Sequence, residues 1–278
     1  MDPAPAGAPR LVAVVPARDE AARLPGLLAR LLGGAAAASS APATAGPSGD
    51  PDPDRAALAI VADGGSSDGT QDLARAAGAE VVDAPPGRGP QLRAGGIRAL
   101  ERVGPDDLLL FVHADNRPAP GALAALRAAA AALPEALAFA PSQRVDAPGW
   151  VYRRIERAAD RRAARGLVLG DSGLCVRAGA YEAVGGYAPL PLFEDLDLSM
   201  RLAARGPVRL VPGARMVVCA RRWKREGALR ATVRNRILTL GWRLGVPAER
   251  LAAWYPRHRD DRPGSAAGPG SASPPTIP

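Results

Sequence analysis

Residues 11–32 read LVAVVPARDEAARLPGLLARLL. Leu11–Val15 is an unbroken aliphatic run, the pattern of a strand buried on both faces. Leu24, Leu27, Leu28, Leu31 and Leu32 then recur at the spacing of one helical face, so a helix is expected to start near Asp19. Strand followed by helix is a βα unit. A strand covered on both faces belongs to a sheet with helices on either side.

The alternation continues downstream. Strands are expected at 58–62, 80–83 and 108–113, with helices at 69–77, 90–102 and 121–133. Right-handed crossovers between such strands give an α/β, Rossmann-like three-layer sandwich with a mostly parallel central sheet. The second half is less regular: helices are expected at 150–165 and 196–204, and short strands at 174–176 and 208–211. Glu226–Gly245 carries Leu229, Val233, Ile237, Leu240 and Leu244 at helical spacing, with Arg230, Arg234, Arg236 and Arg243 among them. Core packing is the default for that stripe, and peripheral docking to a membrane is the alternative.

Composition sets the boundaries. Residues 1–10 and 258–278 are rich in Pro, Gly, Ala and Ser and are expected to be disordered, as is an insertion at about 33–55. A single domain, 11–257, remains. Hydrophobic residues make up 47% of the chain but aromatics only 4%, so the core is expected to be aliphatic. The net charge of +8 comes almost wholly from arginines, which read as a solvated basic surface. No aromatic platform accompanies them, which argues against nucleic acid as a partner. Two cysteines are too few for a disulfide framework or a zinc site, and a reducing cytoplasm fits them. The first ten residues lack the pattern of a secretory signal, and no apolar run reaches the roughly 18–20 residues that span a bilayer. Membrane association is thus expected only as a peripheral contact, at the inner face.

In parallel sheets ligands sit beyond the carboxyl ends of the strands, so those ends hold the candidate chemistry. The first strand is followed by PARDE, where Asp19 suits a helix N-cap and Arg18 has no structural task. The second is followed by ADGGSSDGTQD, in which Asp68 and Gln71 match a capping box. Asp63 has no capping role there and is expected to be free to accept hydrogen bonds from a base or ribose. The third is followed by APPGRGPQLRAGG, with Arg88 placed to hold phosphate ahead of a helix. Neither glycine-rich segment fits G-x-G-x-x-G, since Leu92 stands where the third glycine of the Arg88 turn belongs and GGSSDG also departs from the pattern, so a nicotinamide dinucleotide fold is disfavoured. The fourth ends in FVHADNRP (111–118), where Asn116 and Pro118 are expected to stop the strand. Side chains two apart on an extended segment share a side, so His113 and Asp115 can converge on a divalent cation that holds a diphosphate. A structural histidine is the alternative.

PARDE, ADGGSSDGT, FVHADNRP, LFEDLDL (192–198) and ARRW (220–223), in that order, resemble the glycosyltransferase family 2 enzymes of GT-A fold. The likeness is to a bacterial subgroup with His-x-Asp in place of Asp-x-Asp, and it covers roughly residues 11–255. It implies nucleotide binding by Pro16, Arg18, Glu20, Asp63, Gly64 and Arg88. It implies Mg2+ or Mn2+ at Asp115, with His113 either a second ligand or a contact to the donor. Glu194 and Asp195 match the family's acidic pair, with the aspartate as general base. Gly170, Asp171, Arg222 and Trp223 match elements near acceptor and phosphate, although ARRW lacks the family's leading glutamine. Arg93 replaces a smaller polar residue of the pattern. The implied activity is inverting transfer of a hexosyl group from a nucleotide-diphosphate sugar to a small-molecule or lipid-linked acceptor. Two alternatives are an inactive nucleotide-sugar-binding protein and a nucleotidyltransferase, whose glycine-rich basic loop PARDE does not supply. Oligomeric state is not legible.

Overall fold

The computed structural model of the protein describes residues 9–33, 52–169 and 172–255. Residues 34–51 of the expected insertion, nearly all of the N-terminal segment and the whole 258–278 tail lie outside the described residues, as do Gly170 and Asp171. The elements in the first half are β1 (Leu11–Ala17), α1 (Leu24–Leu32), β2 (Leu58–Asp63), α2 (Thr70–Ala76), β3 (Glu80–Asp83), α3 (Arg88–Leu100), β4 (Leu108–Phe111), β5 (Asn116–Pro118) and α4 (Ala122–Ala132). There follow β6 (Ala138–Val145), α5 (Trp150–Ala163), β7 (Leu174–Arg177), α6 (Ala178–Ala183), α7 (Glu194–Ala203), β8 (Val208–Val218), α8 (Arg221–Glu226), α9 (Ala228–Arg243) and α10 (Ala248–Ala253).

The strands form one sheet in the order β3-β2-β1-β4-β7-β6-β8-β5. β3, β2, β1 and β4 run parallel to their neighbours, as do β6 and β8, while β7 and β5 pair antiparallel. Alternate residues of β1 serve two cores. Leu11, Ala13 and Val15 pack with the α1 leucines and with Leu123 and Leu126 of α4. Val12 and Val14 pack with Leu92 and Ala99 of α3, Tyr181, Tyr187, and Leu198 and Leu202 of α7. A central sheet with a core on each face is the three-layer arrangement that the sequence predicts.

Strand order reverses at β1, whose two neighbours are β2 and β4. The β1–β4 pairing ends at Val14 and Phe111, whereas β1–β2 continues to Ala17 and Asp63. Such a switch point is where open α/β sheets bind ligands.

Four expectations are corrected. The first helix starts at Leu24, with Pro25 in its first turn, and not at Asp19, whose backbone is left-handed at φ 52°. Residues 116–118 do form a strand, because β5 lies at the sheet edge, where proline costs no ladder bond to a further neighbour. The C-terminal end of the insertion is ordered: Asp54 accepts from the N–H groups of Gly121 (2.7 Å) and Leu123 (3.0 Å) at the start of α4, and pairs with Arg30. Finally, the stripe from Leu229 to Leu244 is exposed, and α9 packs through Ala231 and Leu238 instead.

Candidate active site

Three groups of residues lie along the carboxyl edge of the sheet. The first is a clasp between the β1 and β2 loops. Asp63 is fully buried and accepts from the N–H groups of Gly65 (3.0 Å) and Ser66 (2.9 Å), from the Ser66 hydroxyl, and from Gln71 Nε2 (2.8 Å). Burial pushes its pKa up, but these bonds outweigh it and hold the carboxyl below the usual aspartate value. Asp19 accepts from Ser67 N–H (2.9 Å), and its own N–H donates to Ser66 Oγ (2.9 Å). Asp68 accepts from Ala21 N–H (3.0 Å) and Thr70 N–H (3.1 Å).

These contacts correct the reading of both loops. Asp63 organises the 64–67 turn and is not a free acceptor. Gln71 reaches Asp63 and Asp83 instead of closing a capping box on Asp68. Asp19 caps no helix, but joins one loop to the other. Gln91 of α3, buried between the strand ends, donates to the carbonyls of Ala17 (2.6 Å) and Ala62 (3.3 Å), which fixes the start of α3 against β1 and β2.

The second group gathers charge past β1 and β4. His113 and Asp115 occupy one turn, closed by Asn116 N–H to His113 C=O at 3.0 Å, so the strand-alternation argument for their convergence does not apply. His113 is half-buried and Asp115 exposed. Glu20 pairs with Arg23 at 2.8 Å. Burial raises the Glu20 carboxyl above its ordinary value; Arg23 offsets this, while the charges of Asp115 and Arg221 are near enough to act on it in opposite directions. Arg18 is exposed and Pro16 buried. No cluster of three or more His, Cys, Asp or Glu side chains able to hold a metal occurs among the described residues. His113 and Asp115 are the donors available for one, and an imidazole and a carboxylate fit Mg2+ or Mn2+ whose remaining positions are filled by phosphate and water.

The third group is a cavity of about 530 Å³, its open mouth included, lined by Arg88, Glu194 and Asp195 with Leu169, Phe193, Leu196, Asn235, Leu238, Thr239 and Tyr255 among others. Glu194 and Asp195 are the first residues of α7, and three acids in that first turn suit the positive end of the helix dipole. Both are buried. The Tyr187 hydroxyl donates to Asp195 Oδ1 at 2.7 Å. Burial first, and then the neighbouring Asp195 charge, push the Tyr187 pKa well above its usual value, so the tyrosine stays a donor. Glu194 Oε1 has no hydrogen-bond partner among the described residues and lies 3.7 Å from Arg88 Nε. Phe193, directly before the acids, has φ 67°, and with Asp19 it is one of two non-glycine residues at positive φ among those described. Strained backbone of this kind persists only where the surrounding structure enforces it.

Phe111 links the groups. Its ring packs 4.8 Å from Tyr187 and 5.0 Å from Tyr181, two residues before His113. The strand that delivers the His113 turn thus also supports the tyrosine that holds Asp195. Arg93 donates to the Tyr187 carbonyl at 3.0 Å, which gives that unexpected arginine a role in positioning the same loop.

Not every expected residue reaches the cavity. Asp63 and Asp115 lie along the sheet edge outside its lining. Trp223 is buried in a separate small core with Val145, Val218 and Ala231, edge-on to Tyr152 at 6.5 Å. Gly170 and Asp171 lie outside the described residues, as does the side chain of Arg222. Tyr187, Gln91 and Asn235 were not expected from the sequence; the only cue for Tyr187 was its place between a Gly-Gly turn and the acidic motif.

No family model matches the chain, and no curated protein matches it. Solved structures do. A mannosyltransferase from Pyrobaculum calidifontis, in complex with GDP-Man and Mn2+, matches 78% of this chain with 21% identity and a TM-score of 0.53; the match spans 59% of the mannosyltransferase's length. The glucosyl-3-phosphoglycerate synthase of Mycobacterium tuberculosis, in complex with Mn2+, UDP and phosphoglyceric acid, matches 86% of this chain and 80% of its own, with 20% identity and a TM-score of 0.54. The fold is GT-A. At this identity the likeness fixes the GT-A architecture and leaves the chemistry to the residues.

Proposed function

We propose that the protein is an inverting, metal-assisted glycosyltransferase that moves a hexosyl group from a nucleotide-diphosphate sugar to an acceptor hydroxyl, with Asp195 as general base. The observation that carries this reading is the buried Asp195 carboxylate, held by the Tyr187 hydroxyl in a cavity that also contains Glu194 and Arg88. The order of five sequence motifs supports family 2 and its His-x-Asp subgroup. The ligands of the matched solved structures, GDP-Man in one and UDP in the other, support the donor class.

Displacement at an anomeric carbon requires two things of the chain. Charge on the departing diphosphate must be neutralised, and the attacking hydroxyl must lose its proton. Arg88, at the start of α3, is the residue proposed to meet the diphosphate, and its guanidinium can form paired bonds to phosphate oxygens. A cation held by Asp115 and His113, when bound, supplies Lewis-acid stabilisation of the same charge. A carboxylate is a weak base toward an alcohol at rest, but it takes the proton late, when an oxocarbenium-like transition state has made the hydroxyl acidic. Asp195 as the one base gives a single displacement with inversion. The clasp around Asp63 and Asp19 presents the backbone of Gly64 and its neighbours to the nucleotide, with Arg18 and Glu20 beside it. Gly170, Asp171 and Arg222 are proposed for the acceptor side on the motif likeness alone.

The deciding experiment incubates the protein with UDP-glucose or GDP-mannose and Mn2+ and follows release of the nucleoside diphosphate. Metal-dependent release is expected, with loss of about 100- to 10,000-fold in Asp195→Asn, the range for a removed general base. Nucleotide-sugar binding without release from any donor would leave only the inactive-binder reading.

A further inference from the structure

α9 is apolar on two faces. Inward, Ala231 and Leu238 are buried. Outward, Leu229 (78% exposed), Val233 (47%), Ile237 (58%), Leu240 (58%) and Leu244 just beyond its end (76%) lie in water. At about 100° per residue these five fall within an arc of about 80°. On the same geometry Arg236 and Arg243 border one side of the stripe and Arg230 the other. All three are exposed, and none forms an ion pair or hydrogen bond among the described residues.

The charge is concentrated in the same place. Residues 221–243 contain eight arginines and lysines and one acid, so seven of the eight net positive charges of the chain fall in this short segment. The lone acid, Glu226, pairs with Arg234 at 2.5 Å and is largely buried. The excess of positive charge is therefore concentrated in this segment, while the arginines elsewhere are nearly balanced by acids. No described helix is long and apolar enough to cross a membrane.

We propose that α9 docks the protein on an anionic lipid bilayer, lying in the interface with its stripe among the acyl chains and Arg230, Arg236 and Arg243 at the headgroups. An apolar stripe bordered by arginines matches the layering of that interface. A second copy of the chain is a poorer occupant, because apposed stripes would bring two strongly positive segments together. Trp254, 76% exposed beyond α10, adds an indole of the kind enriched at membrane interfaces, and α10 packs against α9. The other face of α9 contributes Asn235, Leu238 and Thr239 to the cavity that holds Asp195. Docking would set that cavity about one helix diameter, roughly 10–12 Å, above the lipid. The docking itself does not depend on glycosyl transfer.

The test is co-sedimentation of the full chain with vesicles of phosphatidylcholine alone or mixed with phosphatidylglycerol, at low and high salt. Binding to the mixed vesicles that weakens with salt is expected. Arg230→Gln/Arg236→Gln/Arg243→Gln should weaken it on the order of 100-fold, at about fivefold per arginine, and Leu229→Gln/Ile237→Gln/Leu240→Gln by at least about tenfold. Both variants alter exposed side chains and should melt with the parent. Absence of binding, equal binding to neutral vesicles, or undiminished binding by both variants would overturn the proposal. So would light scattering that shows a dimer dispersed by the apolar substitutions, which would assign the stripe to self-association.

Discussion

The Tyr187 hydroxyl lies 2.7 Å from Oδ1 of Asp195, with both residues buried, Asp195 in the first turn of α7 and Tyr187 in the loop before it. Phe111 packs on the tyrosine ring from β4, and Arg93 holds its carbonyl from α3, so two elements position the residue that carries the hydroxyl. The hydroxyl orients the carboxylate and leaves lone pairs on it to receive a proton. Tyr187→Phe keeps the ring and removes the donor. A hydrogen bond to a charged group contributes about 1.5–3 kcal/mol. We expect kcat to fall about 10- to 100-fold, with the donor KM nearly unchanged. A KM increase at constant kcat would instead make Tyr187 a donor-binding residue.

Asp63 predicts an acid limb of stability. Its pKa is depressed in the folded state by bonds from Ser66, Gln71 and Gly65, despite burial. A depressed carboxylate stabilises the fold fully above its unfolded value, near 3.8, and that contribution disappears as pH falls through the lower folded value. Asp63→Asn turns an amide N–H toward donors already fixed on the loop. It should cost about 1–3 kcal/mol at neutral pH, read from urea midpoints, and the gap from the parent should shrink as pH drops below that window. A gap that stays constant down to the acid transition would show that the carboxylate charge contributes nothing.

The parallel half of the sheet was legible in the sequence because β1, β2 and β4 are mainly aliphatic runs between helical patterns, with the short EVVD of β3 placed by the helices on either side. β6, the partner of β7 and β8, was not. Its sequence, AFAPSQRV, contains a proline and three polar residues in a strand whose residues are nearly all buried, and Gln143 is satisfied by Ser172 Oγ at 3.0 Å, a partner far along the chain. The strand-end acids were legible as a set, but their roles were not. Asp19 and Asp68 read as caps and Asp63 as a free acceptor, and what overturns these readings is the contacts between the two loops, which only the folded chain brings together. The Leu229–Leu244 stripe shows the opposite failure, because helical spacing gives a face but not what covers it.

Gly89 and Gly26 form a contrasting pair. A Cβ at Gly89 would meet the carbonyl oxygen of Leu190 and lie 2.8 Å from its backbone nitrogen, and backbone cannot rotate aside as a side chain can. Gly89→Ala should destabilise by about 1–3 kcal/mol and lower turnover, because the displaced 188–190 segment leads directly to Glu194 and Asp195. At Gly26 nothing lies within 4 Å, so Gly26→Ala in α1 should stabilise by up to about 1 kcal/mol. Denaturant midpoints of the two variants test this, and equal shifts would mean that the α3–loop contact is slack.

The cation site leads to a prediction of conditional binding. Asp115 and His113 are the donors available in their turn, and no cluster of three potential ligands occurs among the described residues. Two donors hold Mn2+ weakly until phosphate oxygens complete the shell. Mn2+ alone should therefore leave the melting temperature unchanged, while Mn2+ with UDP or GDP should raise it further than the nucleotide does by itself. At about 100 times Kd, stabilisation is about 2.7 kcal/mol, which corresponds to roughly 5–10 °C for a chain of this size. Asp115→Asn should remove the metal-dependent increment and keep the nucleotide one. His113→Ala divides the remaining alternatives: loss of the same increment makes His113 a ligand, and its retention with weaker binding of the nucleotide-sugar makes it a donor contact. An undiminished metal increment in Asp115→Asn would move the cation elsewhere, and the Glu20 carboxylate, near enough to feel the Asp115 charge, would be the next residue to substitute.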